Sequence, residues 1–103
     1  MADLKLASEY AGMVRSALDG QVVKIMIFGS RARGDAVEGS DFDIVVVVKK
    51  RTPTVREAVL DAGVKMMNLH GALFSAIIYD EEEWEREQNF PLAWNVREEG
   101  VTA

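Results

Sequence analysis

Asp41 and Asp43 stand one residue apart at the head of an apolar run. In an extended chain side chains alternate faces, so the two carboxylates point the same way, about 6.6 Å apart along the strand. Phe42 and Ile44 then point the other way. Two anions held side by side repel each other unless a cation sits between them. Magnesium answers that need, because it combines a few carboxylates with substrate phosphates. Upstream, Gly29-Ser30 closes another apolar run. A glycine there lets a ligand approach the backbone. Ser30 offers a hydroxyl and an N–H, and the residues after it could open a short helix whose N-terminus favours a phosphate. Arg31 and Arg33 add cationic donors, of which one is expected to face the site. The chemistry these residues suit is transfer at phosphorus. Phosphates rest on Gly29-Ser30, a metal bridges them to Asp41 and Asp43, and a nucleophile attacks the α-phosphorus in line.

The elements that must position these groups are legible from periodicity. Residues 4–18 read as an amphipathic helix with Leu6, Tyr10, Met13, Val14 and Ala17 at helical spacing, Asp3 as N-cap and Asp19-Gly20 as the stop. Residues 22–28 read as a short β-branched strand. Residues 42–48 form a nearly unbroken apolar run, as in a strand covered on both faces. A second helix starts either at Thr52-Pro53 or at the Thr54–Glu57 capping box, carries Val55, Val59, Ala62, Met66 and Leu69 on its apolar stripe, and ends at His70-Gly71. Residues 72–79 read as a third strand. Asp80-x-x-Glu83 then opens an acidic helix to about Gln88, and Pro91 opens a last helical turn or two containing Leu92, Trp94 and Val96. The order predicts an α/β (α+β) fold: a small mixed sheet of three or more strands with helices packed on it.

A chain of 103 residues fits one domain, here residues 1–103. The absence of cysteine excludes disulfides, thiolate metal sites and thiol nucleophiles. With no leader pattern and no long apolar run, secretion and membrane spanning are unsupported and a cytoplasmic protein is expected. A net charge of −5 argues against a long nucleic acid as partner, because phosphates must be neutralised by excess basic charge. Small phosphorylated ligands and protein partners fit it. The remaining polar and aromatic residues have plainer readings. His70 suits the negative end of its helix, and Glu81, Glu82 and Glu83 suit the positive end of theirs. Ser40 and Asp35 read as turn residues, and Tyr10, Trp84 and Trp94 as packing or interface residues.

The run GSRARGDAVEGSDFDIVV closely resembles the signature of the DNA polymerase β-like nucleotidyltransferase superfamily, and within it the minimal nucleotidyltransferases that occur beside HEPN-domain proteins. The order of helices and strands around the run, and the ending from Glu81 to Gly100, are similar as well. The resemblance implies a nucleotidyltransferase-like fold, ATP or another NTP as donor, and magnesium as cofactor, with room for two ions. It implies Gly29 and Ser30 at the triphosphate and Asp41 and Asp43 as catalytic metal ligands; of the two loop arginines, Arg33 is the one expected to bind the nucleotide with them. It implies a HEPN-type toxin as partner, receiving AMP; self-association into a homo-oligomer is the other expected assembly. Active members of the superfamily carry a third carboxylate on a later strand. Here the strand at 72–79 has no acid, and Ser75 is expected at or beside that position. Two readings follow: a magnesium-dependent nucleotidyltransferase, or a catalytically impaired nucleotide-binding antitoxin subunit that acts by protein contact.

Overall fold

The computed structural model describes residues 4–33 and 41–103. The first helix, α1 (Leu4–Ala17), buries Ala7, Tyr10, Ala11 and Val14, a stripe at helical spacing. The predicted face is rotated slightly: Ala17 is exposed and Leu18, just past the helix, is buried in its place. Gly20 ends the segment with φ +75°, a left-handed conformation that favours glycine. The expected cap Asp3 lies outside the described residues.

Three strands follow where the β-branched runs lie: β1 (Val22–Phe28), β2 (Phe42–Val48) and β3 (Phe74–Asp80). A two-residue strand, β4 (Val101–Thr102), completes a sheet in the order β3-β2-β1-β4. β1 runs antiparallel to β2 and to β4, whereas β2 and β3 are parallel. A parallel pair needs a long crossover, and the helix α3 (Pro53–His70) provides it. Of the two starts open in the sequence, the first is used. Thr52 is the N-cap, its hydroxyl accepting from the Val55 N–H, and Pro53 occupies the first turn. Gly71, at φ +66°, closes the helix as predicted.

β2 is the centre of the molecule, and its alternation divides the core. Phe42, Ile44, Val46 and Val48 face α1 and α3, together with Ile25 and Ile27 of β1. Val45 and Val47 face the other way, against Val96, Leu92 and Trp84. Those three belong to the helices α4 (Glu81–Glu87) and α5 (Pro91–Glu99). Both faces are therefore covered along most of β2, which is why its sequence shows no polar alternation beyond Asp43. On the α1 side the rings of Tyr10 and Phe74, and of Phe74 and Phe42, stack with centroids 4.5 Å apart in each pair. Burial pushes the Tyr10 phenol up to about 12, so it stays neutral and serves as core. His70 pairs with Glu9 at 2.8 Å and ties the end of α3 to α1, an exposed contact of small energetic weight.

Leu69 departs from its expected burial: it is 63% exposed, on a helix whose Met66 already fills the contact with the core. Trp94, read as a packing or interface residue, is 57% exposed beside the buried Ala93 and Val96.

The sharpest local signal is the start of α4. Asp80 accepts from the Glu83 N–H at 2.8 Å, and Glu83 accepts from the Asp80 N–H at 3.2 Å, a complete capping box. Glu83 also pairs with Arg51 at 3.0 Å. Asp80→Ala removes an acceptor for one helix N–H and is expected to cost about 1 kcal/mol. In a chain of this size that lowers the thermal midpoint by about 4–8 °C. A melting curve checks it, and an unchanged midpoint would show that α4 adds little to the cooperative unit.

Candidate active site

β1 ends where β2 and β3 begin, so one end of the sheet gathers the C-terminus of one strand and the N-termini of two others. In register, Phe28 of β1 lies opposite Asp43 of β2, and Asp43 lies opposite Ser75 of β3. Asp41 immediately precedes β2, and both carboxylates are half-buried. They share the face of Val45 and Val47, which pack against Val96, Leu92 and Trp84 of α5 and α4. The alternation predicted for Asp41, Phe42, Asp43 and Ile44 is the one found: Phe42 and Ile44 lie in the opposite core.

The loop element meets this pair closely. Gly29 opens a five-residue helix, α2 (Gly29–Arg33), directly after β1. Its φ is +74°, and a Cβ built on it would stand 2.5 Å from an Asp43 carboxylate oxygen. Two independent constraints thus demand glycine here: the left-handed backbone and the carboxylate pressed against it. The expected short helix after Gly29 is present. The side chains of Ser30 and Arg33 lie outside the described structure, as do the turn positions Asp35 and Ser40. The Arg31 guanidinium lies over the Phe42 ring, 4.5 Å from its centroid.

Ser75 is brought to the site, as the missing third acid suggested. Its hydroxyl donates to Asp41 Oδ2 at 3.2 Å. No sequence signal gives this bond; it follows from the parallel register of β2 and β3, which periodicity does not contain. The capping acids stay at the other end of β3. Asp80 is occupied by its capping box, so it does not replace the absent carboxylate.

The arrangement can hold a hard cation. Two carboxylates on one strand face supply anionic oxygens, and the bare Gly29 backbone leaves open the approach that a side chain would fill. Among the described residues no set of three or more acid, histidine or cysteine side chains converges in a way that would hold a metal. Phosphate oxygens from a substrate would have to complete the coordination, which is the usual habit of magnesium. The apolar clefts lie elsewhere. One of about 550 Å³ runs between α3 and β3, lined by Leu60, Val64, Met67 and Leu73 among others.

A mixed sheet whose second strand begins at an Asp-x-Asp pair, facing a glycine turn at the end of the first, defines a nucleotidyltransferase-type fold. The sequence pattern of the Nucleotidyltransferase domain matches residues 10–99, and this chain belongs to that family. It is 34% identical over 100 residues to a candidate protein adenylyltransferase of Methanocaldococcus jannaschii, MJ0604, covering 97% of this chain and 96% of that one. A second protein of the same organism and description, MJ0141, is 30% identical over 81 residues, covering 77% and 81%. Among solved structures, a candidate nucleotidyltransferase from Sulfolobus solfataricus superposes with a TM-score of 0.60 at 29% identity, over 96% of this chain and 77% of that one. A toxin–antitoxin structure with AMP-PNP superposes with a TM-score of 0.62 over 92% and 69%. At 18% identity that likeness concerns the fold alone.

Proposed function

We propose that the protein transfers a nucleoside monophosphate, AMP from ATP in the first instance, to a hydroxyl on a protein partner. The observation that carries this reading is the meeting of Gly29, Asp43 and Asp41 at one end of the sheet, in a chain of the nucleotidyltransferase family. Asp41 and Asp43 are the metal-binding carboxylates, and Gly29, Ser30 and Arg33 the nucleotide contacts. Magnesium, when bound, neutralises the triphosphate and polarises the phosphorus under attack. The chain's own part is positioning. Asp41 and Asp43 fix the donor's phosphates relative to the sheet end, and Gly29 lets the donor approach the backbone. The bond from the acceptor oxygen to the α-phosphorus forms as the α–β bridging bond breaks; the hydroxyl proton passes to solvent and pyrophosphate leaves.

The relatives described as protein adenylyltransferases support ATP and a protein acceptor. The surface supports a protein partner. α3 carries a second apolar stripe, Leu60, Val64 and Met67, on the side away from its buried one, and it is exposed beside Leu73. Single-chain proteins rarely leave so continuous a stripe to water. A toxin of the HEPN type is the partner we assign to it, with a second copy of the chain as the competing occupant. No helix among the described residues is long and apolar enough to cross a membrane.

Ser75 favours a second reading, in which the chain binds nucleotide and partner but transfers slowly. A hydroxyl is a poorer ligand and a poorer base than a carboxylate. Titration of ATP, GTP, CTP and UTP with magnesium and then with EDTA, followed by incubation with α-labelled and γ-labelled ATP, separates the readings. Magnesium-dependent binding with α-label passing to protein is expected. Binding without transfer leaves the second reading, and no binding of any NTP overturns both.

A further inference from the structure

β3 stands at the edge of the sheet, and among the described residues β2 is its one neighbour. The ladder shows which groups face outward. The Phe42 N–H donates to the Leu73 carbonyl at 2.9 Å, and Phe42 lies opposite Phe74 in register. A parallel ladder engages alternate residues of each strand, so Leu73, Ser75, Ile77 and Tyr79 turn their backbone groups to β2. Phe74, Ala76 and Ile78 turn theirs outward. Sheet edges are commonly guarded by charge, proline or a bulge. Residues 74–79 carry neither charge nor proline, and the register from Phe42–Phe74 to Val48–Asp80 has no shift. Ile77, in the middle of the strand, is 39% exposed, and a cleft lined by Ala76, Ile77 and Ile78 follows the edge. We infer that this edge pairs with the same edge of a second copy, antiparallel about a twofold axis at Ile77, so that the two four-stranded sheets become one.

The strand is complementary to itself. Under a twofold axis perpendicular to the sheet, each face continues into the same face of the partner, and facing residues share a face only when the axis passes through a residue. With the axis at Ile77, Ala76 lies opposite Ile78 of the partner subunit, and Ile78 opposite the partner subunit's Ala76. These residues have outward backbone groups, so each pair exchanges two N–H···O=C bonds. Side chains select this register over its neighbour. An axis at Ala76 sets each Ile77 against a serine hydroxyl, whereas an axis at Ile77 sets the two exposed isoleucines together and removes both from water. No charge opposes itself along the strand. Asp80, the first acid, stands at its end with its N–H and carboxylate held in the capping box. A second copy presents this strand already formed, whereas an unstructured segment of another protein has to be ordered at about 1–2 kcal/mol per residue. Ile77 lies opposite Val45, so the contact centres on the face away from α3 and is distinct from the stripe assigned to the toxin. The same register sets Tyr79 of the partner subunit opposite Ser75, at the rim of the Asp41 and Asp43 site.

Light scattering on the protein as it elutes from a sizing column gives its mass in solution without ligand or turnover. The native chain is expected at the mass of two copies. Ile77→Lys is expected at the mass of one, because it sets two like charges against each other at the axis. The position is exposed, so the variant should fold, and circular dichroism checks that it does. The absence of cysteine allows a direct test of register. Ile77→Cys places two thiols across a non-hydrogen-bonded pair, whose Cα atoms lie about 4.5 Å apart, within the span of a disulfide. It is expected to cross-link under mild oxidation, whereas Ala76→Cys, facing Ile78 of the partner subunit, is not. A native chain that stays single at every soluble concentration, or a pair that survives in folded Ile77→Lys, would overturn the inference. Cross-linking through Ala76→Cys in place of Ile77→Cys would overturn the register. Nucleotide titration of the same samples keeps the two readings apart. A single chain that binds nucleotide sinks the pairing alone, and a pair that binds none sinks the nucleotidyltransferase reading alone.

Discussion

With Asp41→Asn and Asp43→Asn combined, magnesium-dependent nucleotide binding is expected to disappear while the fold survives. Asparagine matches aspartate in shape, so the Phe28–Asp43–Ser75 register has no steric reason to change. The amide oxygen introduced by Asp41→Asn could still accept the Ser75 proton. What is lost is charge. A dication beside a carboxylate gains several kcal/mol even when solvent screens the pair strongly, and each 1.4 kcal/mol is about tenfold in affinity. Removing both acids should therefore weaken metal-dependent binding on the order of a hundredfold or more. Calorimetric titration and a melting curve test the two halves. Retained binding would remove Asp41 and Asp43 from the metal site. A large fall in melting temperature would show that the carboxylates hold the fold through contacts of their own.

This site is legible in the sequence because its chemistry sits in residue types at short spacing. Asp41, Phe42, Asp43 and Ile44 alternate about a strand, and alternation is local information. The same holds for the capping box at Asp80 and Glu83, and for Gly71 at the end of α3. Three strands are legible for a related reason: β-branched runs bounded by polar residues have few other uses. What stays hidden depends on distant parts of the chain. Strand β4 has two residues, too few to show any period, and it is defined only by its pairing with Met26 and Ile27 on β1. The exposure of Leu69 is not legible either, since helical spacing gives the stripe but not which helix or sheet will cover it. Ser75 can be located only by asking which residue stands where an acid is missing. Its bond to Asp41 requires the parallel pairing of β2 with β3, which the α3 crossover determines.

The contact between Gly29 and Asp43 leads to a sharper test of the site, because the fold supplies its own control. Gly29 and Gly20 have nearly the same φ, +74° and +75°. Their surroundings differ. A Cβ at Gly20 meets nothing within 4 Å, whereas one at Gly29 stands 2.5 Å from Asp43 Oδ2 and 3.4 Å from its Cγ. An alanine at either position bears the left-handed strain, on the order of 1–2 kcal/mol. Only at Gly29 must a neighbour also move, and the neighbour is the carboxylate assigned to the metal. Gly20→Ala is therefore expected to lower stability by that amount and leave nucleotide binding unchanged. Gly29→Ala should lose at least as much stability and, by displacing Asp43, weaken magnesium-dependent binding on the order of tenfold to a hundredfold, the range seen when a metal ligand loses its orientation. Urea unfolding and calorimetric titration of the two variants side by side give the answer. If Gly29→Ala binds nucleotide as Gly20→Ala does, Asp43 can shift without consequence, and the glycine serves the turn alone. If binding falls only in Gly29→Ala, the absent side chain is part of the site, because its absence keeps Asp43 in place.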